Sequence, residues 1–261
     1  AVVGAGPIEG ETPDLFASES QDAPERKLTM IQDETQAKEL AQLLENLAGQ
    51  EEISMFVLSE GEGQQSLQPL GAAFGRENGE SWYVAIEDGI LMSDAIAPEV
   101  FGDIFKNVLN NPKLGKAGYD IKQTRHVFAN VGLTLEGMQD DVMLQSYVLE
   151  AHRSHAIEKL AMNWLQYELG DEESLLGKGA KKKSFRDIGT EKTAEFASQR
   201  VYVIARLNRL FNKALSDDKK LESIYRDIEL PISLVLFKME QNGVLIDSML
   251  LNEQTVELQA Q

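Results

Sequence analysis

The chain has 261 residues, 43% of them hydrophobic, enough to bury a core of its own as one large domain or a medium domain with an appendage. It contains no cysteine, which excludes a disulfide framework and a thiolate zinc site. Its 43 acidic residues outweigh 25 basic ones for a formal charge of −18, an average repulsion toward phosphate backbones that argues against a tight grip on nucleic acid by this chain alone.

No apolar run approaches the length of a membrane span, and the opening AVVGAGPIEGETPD has neither a basic segment nor a long apolar stretch. A soluble, cytoplasmic protein without membrane contact is expected. A start on Ala rather than Met points to an excised or processed piece. Residues 1–26, rich in Gly, Pro, Glu, Asp, Ser and Ala, read as a linker or tail too polar to fold by burial.

Structure is expected from Lys27, beginning with the apolar LTMI. An amphipathic helix follows over 35–47, with Ala37, Leu40, Leu43, Leu44 and Leu47 at spacings of three and four. Three strands are expected at 53–58, 70–74 and 81–86, and the short GRENGE spacer favours an antiparallel hairpin between the last two. A helix over 98–109 then covers the sheet through Val100, Ile104, Phe105, Val108 and Leu109, and a strand over 113–118 is expected to lie beside the first.

From Leu114 to Leu149 the pattern reads as a strand, a helix over about 119–131, a glycine-marked turn, and a helix opened by Asp140 and Asp141. A strand leading directly into helices indicates an α/β layer fold. Further helices are expected over 155–165, over 193–210 with Thr190 as cap, and over 221–241, the last preceded by a charged hinge, NKALSDDKK. A short strand-like GVLID and the start of another helix at TVELQAQ are expected at the end, with the chain cut within an element.

A two-metal hydrolytic site needs carboxylates converging on one point, and a strand places two on one face only at i and i+2. The first sheet strand offers Val57 and Ser59 there. Glu60 and Glu62 fall in the Gly-rich turn beyond it, where surface charge is the simpler role. Asp120, Asp140 and Asp141 read as helix caps, with Asp141 also a candidate ligand. His126, His152 and His155 lack zinc spacing, Tyr119 and Tyr202 read as packed, and neither GxSxG nor a phosphate-binding glycine loop occurs. Lys178, Lys181, Lys182, Lys183 and Arg186 form the one concentrated basic segment, either a solvated loop offsetting acidic neighbours or a patch touching phosphates.

The runs KLGKAGYDIKQTRHVFANVGLTLEGMQDDVMLQSYVLEAHRSHAIEKLAMNWL, LLGKGAKKKSFRDIGTEKTAEFASQRVYVIARL and above all LESIYRDIELPISLVLFKMEQNGVLID resemble the 3′–5′ exonuclease domain of bacterial DNA polymerase I and the first helix of the polymerase domain after it. The resemblance covers roughly Lys27 to the end. It implies a ribonuclease H-like 3′–5′ exonuclease fold, a mixed central sheet flanked by helices, with an exonuclease-like unit over 27–216 and the truncated start of a polymerase unit over 217–261.

Active members of that family carry DxE on the first strand, an Asp in the first central helix and YxxxD in the last exonuclease helix. By the resemblance these positions are Val57 and Ser59, Thr124, and Phe196 and Arg200, so no catalytic carboxylate, metal or other cofactor is expected. The implied role is a non-catalytic scaffold in a polymerase of DNA replication and repair. Its partners would be the downstream polymerase domain and, through the parent protein, DNA at the bacterial nucleoid; a monomer is expected. The alternative is a metal-dependent exonuclease using displaced acids such as Glu60, Asp120 and Asp141.

Overall fold

The structure is a computed structural model that describes residues 24–87 and 95–259; the greater part of the expected 1–26 tail therefore lies outside the described residues. In chain order the principal elements are β1 (Lys27–Ile31), α1 (Glu34–Asn46), β2 (Ile53–Glu60), β3 (Gln68–Gly75), β4 (Glu80–Ala85), α2 (Pro98–Asn110), β5 (Lys116–Gly118), α3 (Ile121–Ala129), β6 (Met138–Asp141), α4 (Val142–Leu149) and α5 (Ile157–Leu165). Then come α6 (Glu172–Leu176), the long α7 (Thr190–Asp217), α8 (Lys219–Ser223), a π-helical segment (Ile224–Glu229), α9 (Leu230–Asn242) and α10 (Ser248–Gln259).

The strands form one mixed sheet in the order β1-β4-β3-β2-β5-β6. β2, β3 and β4 are antiparallel neighbours, as the short spacer requires, while β1 joins β4, β5 joins β2, and β6 joins β5 in parallel. Strand alternation sends successive side chains to opposite faces. On one face Ile53, Met55, Phe74 and Val84 pack against Leu40 and Leu44 of α1 and Phe101 and Phe105 of α2. On the other, Leu58, Ala73 and Tyr83 meet Phe196, Ala197 and Val201 of α7, whose later turns pack Leu207 and Phe211 against α5. Gly71 is required on that second face, because a Cβ there would lie 2.1 Å from the Tyr83 hydroxyl.

The chain differs from its sequence reading at several joints. Met138–Asp141 is a strand, so the acidic pair closes β6 before Asp141 caps α4. Thr190 is not a cap: it is the first residue of α7, Gly189 stands before it, and the Thr193 hydroxyl donates to the Gly189 carbonyl at 2.7 Å. The charged hinge is mostly helical, since α7 runs on to Asp217 and breaks only at Asp218, whose carboxylate caps α8. GVLID forms no strand and is exposed. At the other end, Arg26 pairs with Glu195, and the Pro24 carbonyl accepts from Tyr202 at 3.1 Å, so 24–26 are fastened to α7.

The segment from α8 to α9 docks at two places. Tyr225, fully buried, meets the end of β6, where Arg226 also pairs with Asp140 at 2.7 Å. Farther on, Glu240 bridges Lys122 at 2.6 Å and His126 at 2.7 Å on α3, and Phe237 packs edge-on against the His126 ring. The opposite side of α9 exposes Ile232, Val235, Leu236 and Met239.

Candidate functional site

A cleft of about 440 Å³ opens where the C-terminal half of β2 meets α3, α5 and α7. Its lining includes Val57 and Ser59 from β2, Thr124 from α3, and Arg200 from α7. Four of the five positions singled out in the sequence thus converge, from elements far apart in the chain. The fifth, Phe196, lies one helical turn before Arg200 on the same face of α7, and its ring is stacked under the guanidinium at 3.2 Å. β2 is irregular here, its pairing with β3 shifting register between Leu58 and Ser59.

Arg200 dominates the local electrostatics. It is 3% exposed; Nη1 donates to the Phe196 carbonyl at 3.2 Å, and Nη2 donates to Glu158 Oε1 at 2.9 Å and to the Gly170 carbonyl at 3.0 Å. Burial lowers its pKa to about 10, with the negative charges of Glu158, Glu172 and Asp171 acting against that fall, so it remains a cation at neutral pH. Thr124 turns its hydroxyl back to the Asp120 carbonyl at 3.3 Å. The acids of the lining are Asp120, Glu158, Asp171, Glu172 and Glu173.

Two divalent ions would need carboxylate oxygens converging on one point. Val57, Ser59, Thr124 and Arg200 supply none, and Arg200 carries a positive charge. Among the described residues no group of three or more Asp, Glu or His is arranged to hold a metal ion. The side chains present do not fit the ion pair that the resemblance associates with this cleft.

The displaced acids are otherwise engaged. Glu60 receives Arg186 at 3.4 Å, away from the cleft lining. Asp120 caps α3 by accepting from the Gln123 amide, with its own backbone left-handed at φ 51°. Asp141 is 1% exposed and accepts from the backbone amides of Asp120, Ile121, Met143 and Leu144. Burial raises its pKa to about 6 despite those donors. Its oxygens hold the start of two helices and do not line the cleft.

The basic segment lies beside acids. Lys178 pairs with Glu173 at 2.6 Å, Lys182 approaches Glu172 at 3.8 Å, and Arg186 binds Glu60 and Glu87. Lys181, Lys182 and Lys183 are exposed on one short stretch. Much of the segment's charge is therefore offset locally, and exposed pairs of this kind contribute little to stability.

Sequence reasoning missed Glu158, the carboxylate that Arg200 binds, and the acidic turn 171–173 that rims the cleft. Neither carries a local signal: Glu158 sits in the first turn of α5, where an acid is ordinary helix chemistry, and only the tertiary fold brings it to α7.

Comparisons with known proteins bear on the family and the fold. The family model described as "DNA polymerase I, ribonuclease H-like domain" matches residues 71–207. DNA polymerase I of Pseudomonas aeruginosa is 31% identical over 198 residues, 74% of this chain, and that of Synechocystis is 29% identical over 186 residues, 70% of this chain. The chain spans only 22% and 18% of the lengths of those two relatives. Among solved structures, the POL domain of Pol1 from M. smegmatis in complex with DNA primer-template and dNTP superposes with a TM-score of 0.68 at 21% identity, over 85% of this chain and 34% of that one. RNase D of Escherichia coli, an exoribonuclease, gives 0.58 at 14% identity over 84% and 52%. Those two likenesses are of fold. The matched family model, with the relative from Pseudomonas aeruginosa, shows the family: the chain belongs to the DNA polymerase I ribonuclease H-like domain family.

Proposed function

We propose that this chain is a non-catalytic exonuclease-like domain, over residues 27–216, joined to the start of a polymerase domain over 217–261, in a DNA polymerase I of replication and repair. The observation that carries the reading is the chemistry of the cleft: Val57, Ser59, Thr124 and Arg200 converge where the family's active members bring carboxylates together. The domain's role is then mechanical, to hold the segment that leads into the polymerase. Tyr225, Arg226, Phe237 and Glu240 fasten that segment to the domain, while the outer side of α9 offers Ile232, Val235, Leu236 and Met239 to downstream sequence. DNA is reached through the parent protein, with the 178–186 segment adding weak, sequence-independent phosphate contact.

The competing reading, an exonuclease with displaced ligands, needs Glu60, Asp120 and Asp141 to converge, and each already serves an ion pair or a helix cap. Titration with Mg²⁺ or Mn²⁺ by calorimetry separates the two. The non-catalytic domain shows no stoichiometric, saturable site. A saturable site lost in Asp120→Asn or Asp141→Asn overturns the proposal.

A further inference from the structure

We propose that the Arg200 guanidinium is the resident cation of the cleft, a fixed positive charge that gathers the oxygens of α5 and of the 166–171 connection onto α7 and holds that wall of the cleft together without metal. This rests on the non-catalytic reading but reaches further, since it gives one side chain a positioning role with its own signature.

The geometry is that of a coordination centre built from hydrogen bonds. One guanidinium edge engages two oxygens of different origin, the Glu158 carboxylate at 2.9 Å and the Gly170 carbonyl at 3.0 Å, and another amine engages the Phe196 carbonyl at 3.2 Å. The guanidinium plane lies over the Phe196 ring at 3.2 Å and faces Phe56 of β2 at 5.6 Å, so four parts of the chain meet on one charged group. Planar, delocalised and weakly hydrated, guanidinium is the side-chain cation best suited to such a site; lysine's compact ammonium is not equivalent.

Charge gives the reason for a cation at this point. Glu158, Asp171 and Glu172 all attract Arg200, and with Glu173 and Asp120 they surround the same cleft. Without a central positive charge, Glu158 on α5 and Asp171 and Glu172 beside the connection repel one another across it. Removing one partner of a buried pair leaves the other uncompensated, a penalty softened here because the Glu158 side chain is 28% exposed.

The test is thermal unfolding of the parent chain, Arg200→Gln, Arg200→Lys and Arg200→Gln/Glu158→Gln, each at low and at high NaCl. Arg200→Gln is expected to lose about 5 °C or more at low salt, and Arg200→Gln/Glu158→Gln to regain about half of that, because the second change removes the carboxylate left uncompensated. Arg200→Lys keeps the charge and is expected to lose less than Arg200→Gln, by a margin that narrows at high salt. If Arg200→Gln/Glu158→Gln is no more stable than Arg200→Gln, or if Arg200→Lys loses as much as Arg200→Gln at low salt, Arg200 is packing and not a resident cation. Should Arg200→Gln fail to fold, folding regained in Arg200→Gln/Glu158→Gln upholds the assignment, and failure to regain it overturns it. Nuclease activity in the parent would remove the non-catalytic reading while leaving this stability result to be read by itself.

Discussion

The Tyr225 hydroxyl donates to Asp140 Oδ1 at 3.0 Å and accepts from the Asp141 amide at 2.8 Å, tying the π-helical segment to the last strand of the sheet inside a fully buried contact. The joint is shared, since Asp140 also receives Arg226, Gln145 and Asn212. Tyr225→Phe keeps the ring and its burial but leaves the Asp141 amide without its acceptor. A loss of about 1–3 kcal/mol is expected in urea unfolding, with hydrogen exchange over 219–242 accelerating more than over β2 or β3. Equal acceleration in both regions would show that Tyr225 is ordinary core and not a joint.

Glu52 faces the same network. Burial, with the negative charge of Asp140 adding to it, raises its pKa to about 7, against the pull of Arg226 and of Asn208, whose amide donates to Glu52 Oε2 at 2.8 Å. An acid whose folded pKa is raised contributes fully below its unfolded value and loses that contribution as pH rises through the folded value. Folding stability from Glu52 is therefore expected to fall between about pH 5 and 8, by about 3 kcal/mol at most. Glu52→Gln should match the parent near pH 5 and be the more stable protein at pH 8. A stability difference between the two that does not change with pH refutes this.

Much of the domain was legible because its signals are local. The periods of α1 and α2, the apolar runs of β3 and β4, which are buried on both faces, and the glycine-bearing turn between them each lie within a few neighbouring residues. β6 was not legible: MQDD is polar, and the strand exists because β5 offers it a parallel edge and Tyr225 takes up its terminal amide and carboxylate. GVLID has the composition of a strand but no partner, and propensity alone does not make one. At the cleft, Val57, Ser59, Thr124 and Arg200, with Phe196 stacked behind Arg200, could be named by resemblance, whereas the grip of Arg200 on Glu158 and Gly170 is a tertiary fact.

Any DNA binding by the isolated chain is expected to be weak and to run through the exposed run Lys181, Lys182 and Lys183, since Lys178 and Arg186 are held in close ion pairs and Lys182 meets Glu172 only at 3.8 Å. A few phosphate contacts predict a log–log salt slope of about −3 and no preference for base sequence. Replacing the three lysines with Gln should remove most binding at low salt without changing the circular dichroism spectrum. Unchanged binding to single-stranded and duplex DNA would make the segment a solvated surface only.

Appending downstream polymerase sequence should raise hydrogen-exchange protection over 221–247. The exposed row Ile232, Val235, Leu236 and Met239 on α9 and the exposed Val244, Leu245 and Ile246 after it are more apolar surface than a terminal segment ordinarily leaves in water. Protection that stays the same with the longer chain would separate α9 from any downstream contact.

The central claim, that the cleft performs no hydrolysis, is tested most directly by incubating the protein with 5′-labelled single-stranded DNA in Mg²⁺ and in Mn²⁺ and following the 3′ end. Bound metal creates a nucleophile by acidifying water, and Val57, Ser59, Thr124 and Arg200 offer no carboxylate to hold one. The expected result is full-length DNA at all times, for the parent and for any single restoration such as Val57→Asp or Thr124→Asp. Metal-dependent shortening from the 3′ end that disappears in Glu60→Ala or Asp141→Asn would contradict it.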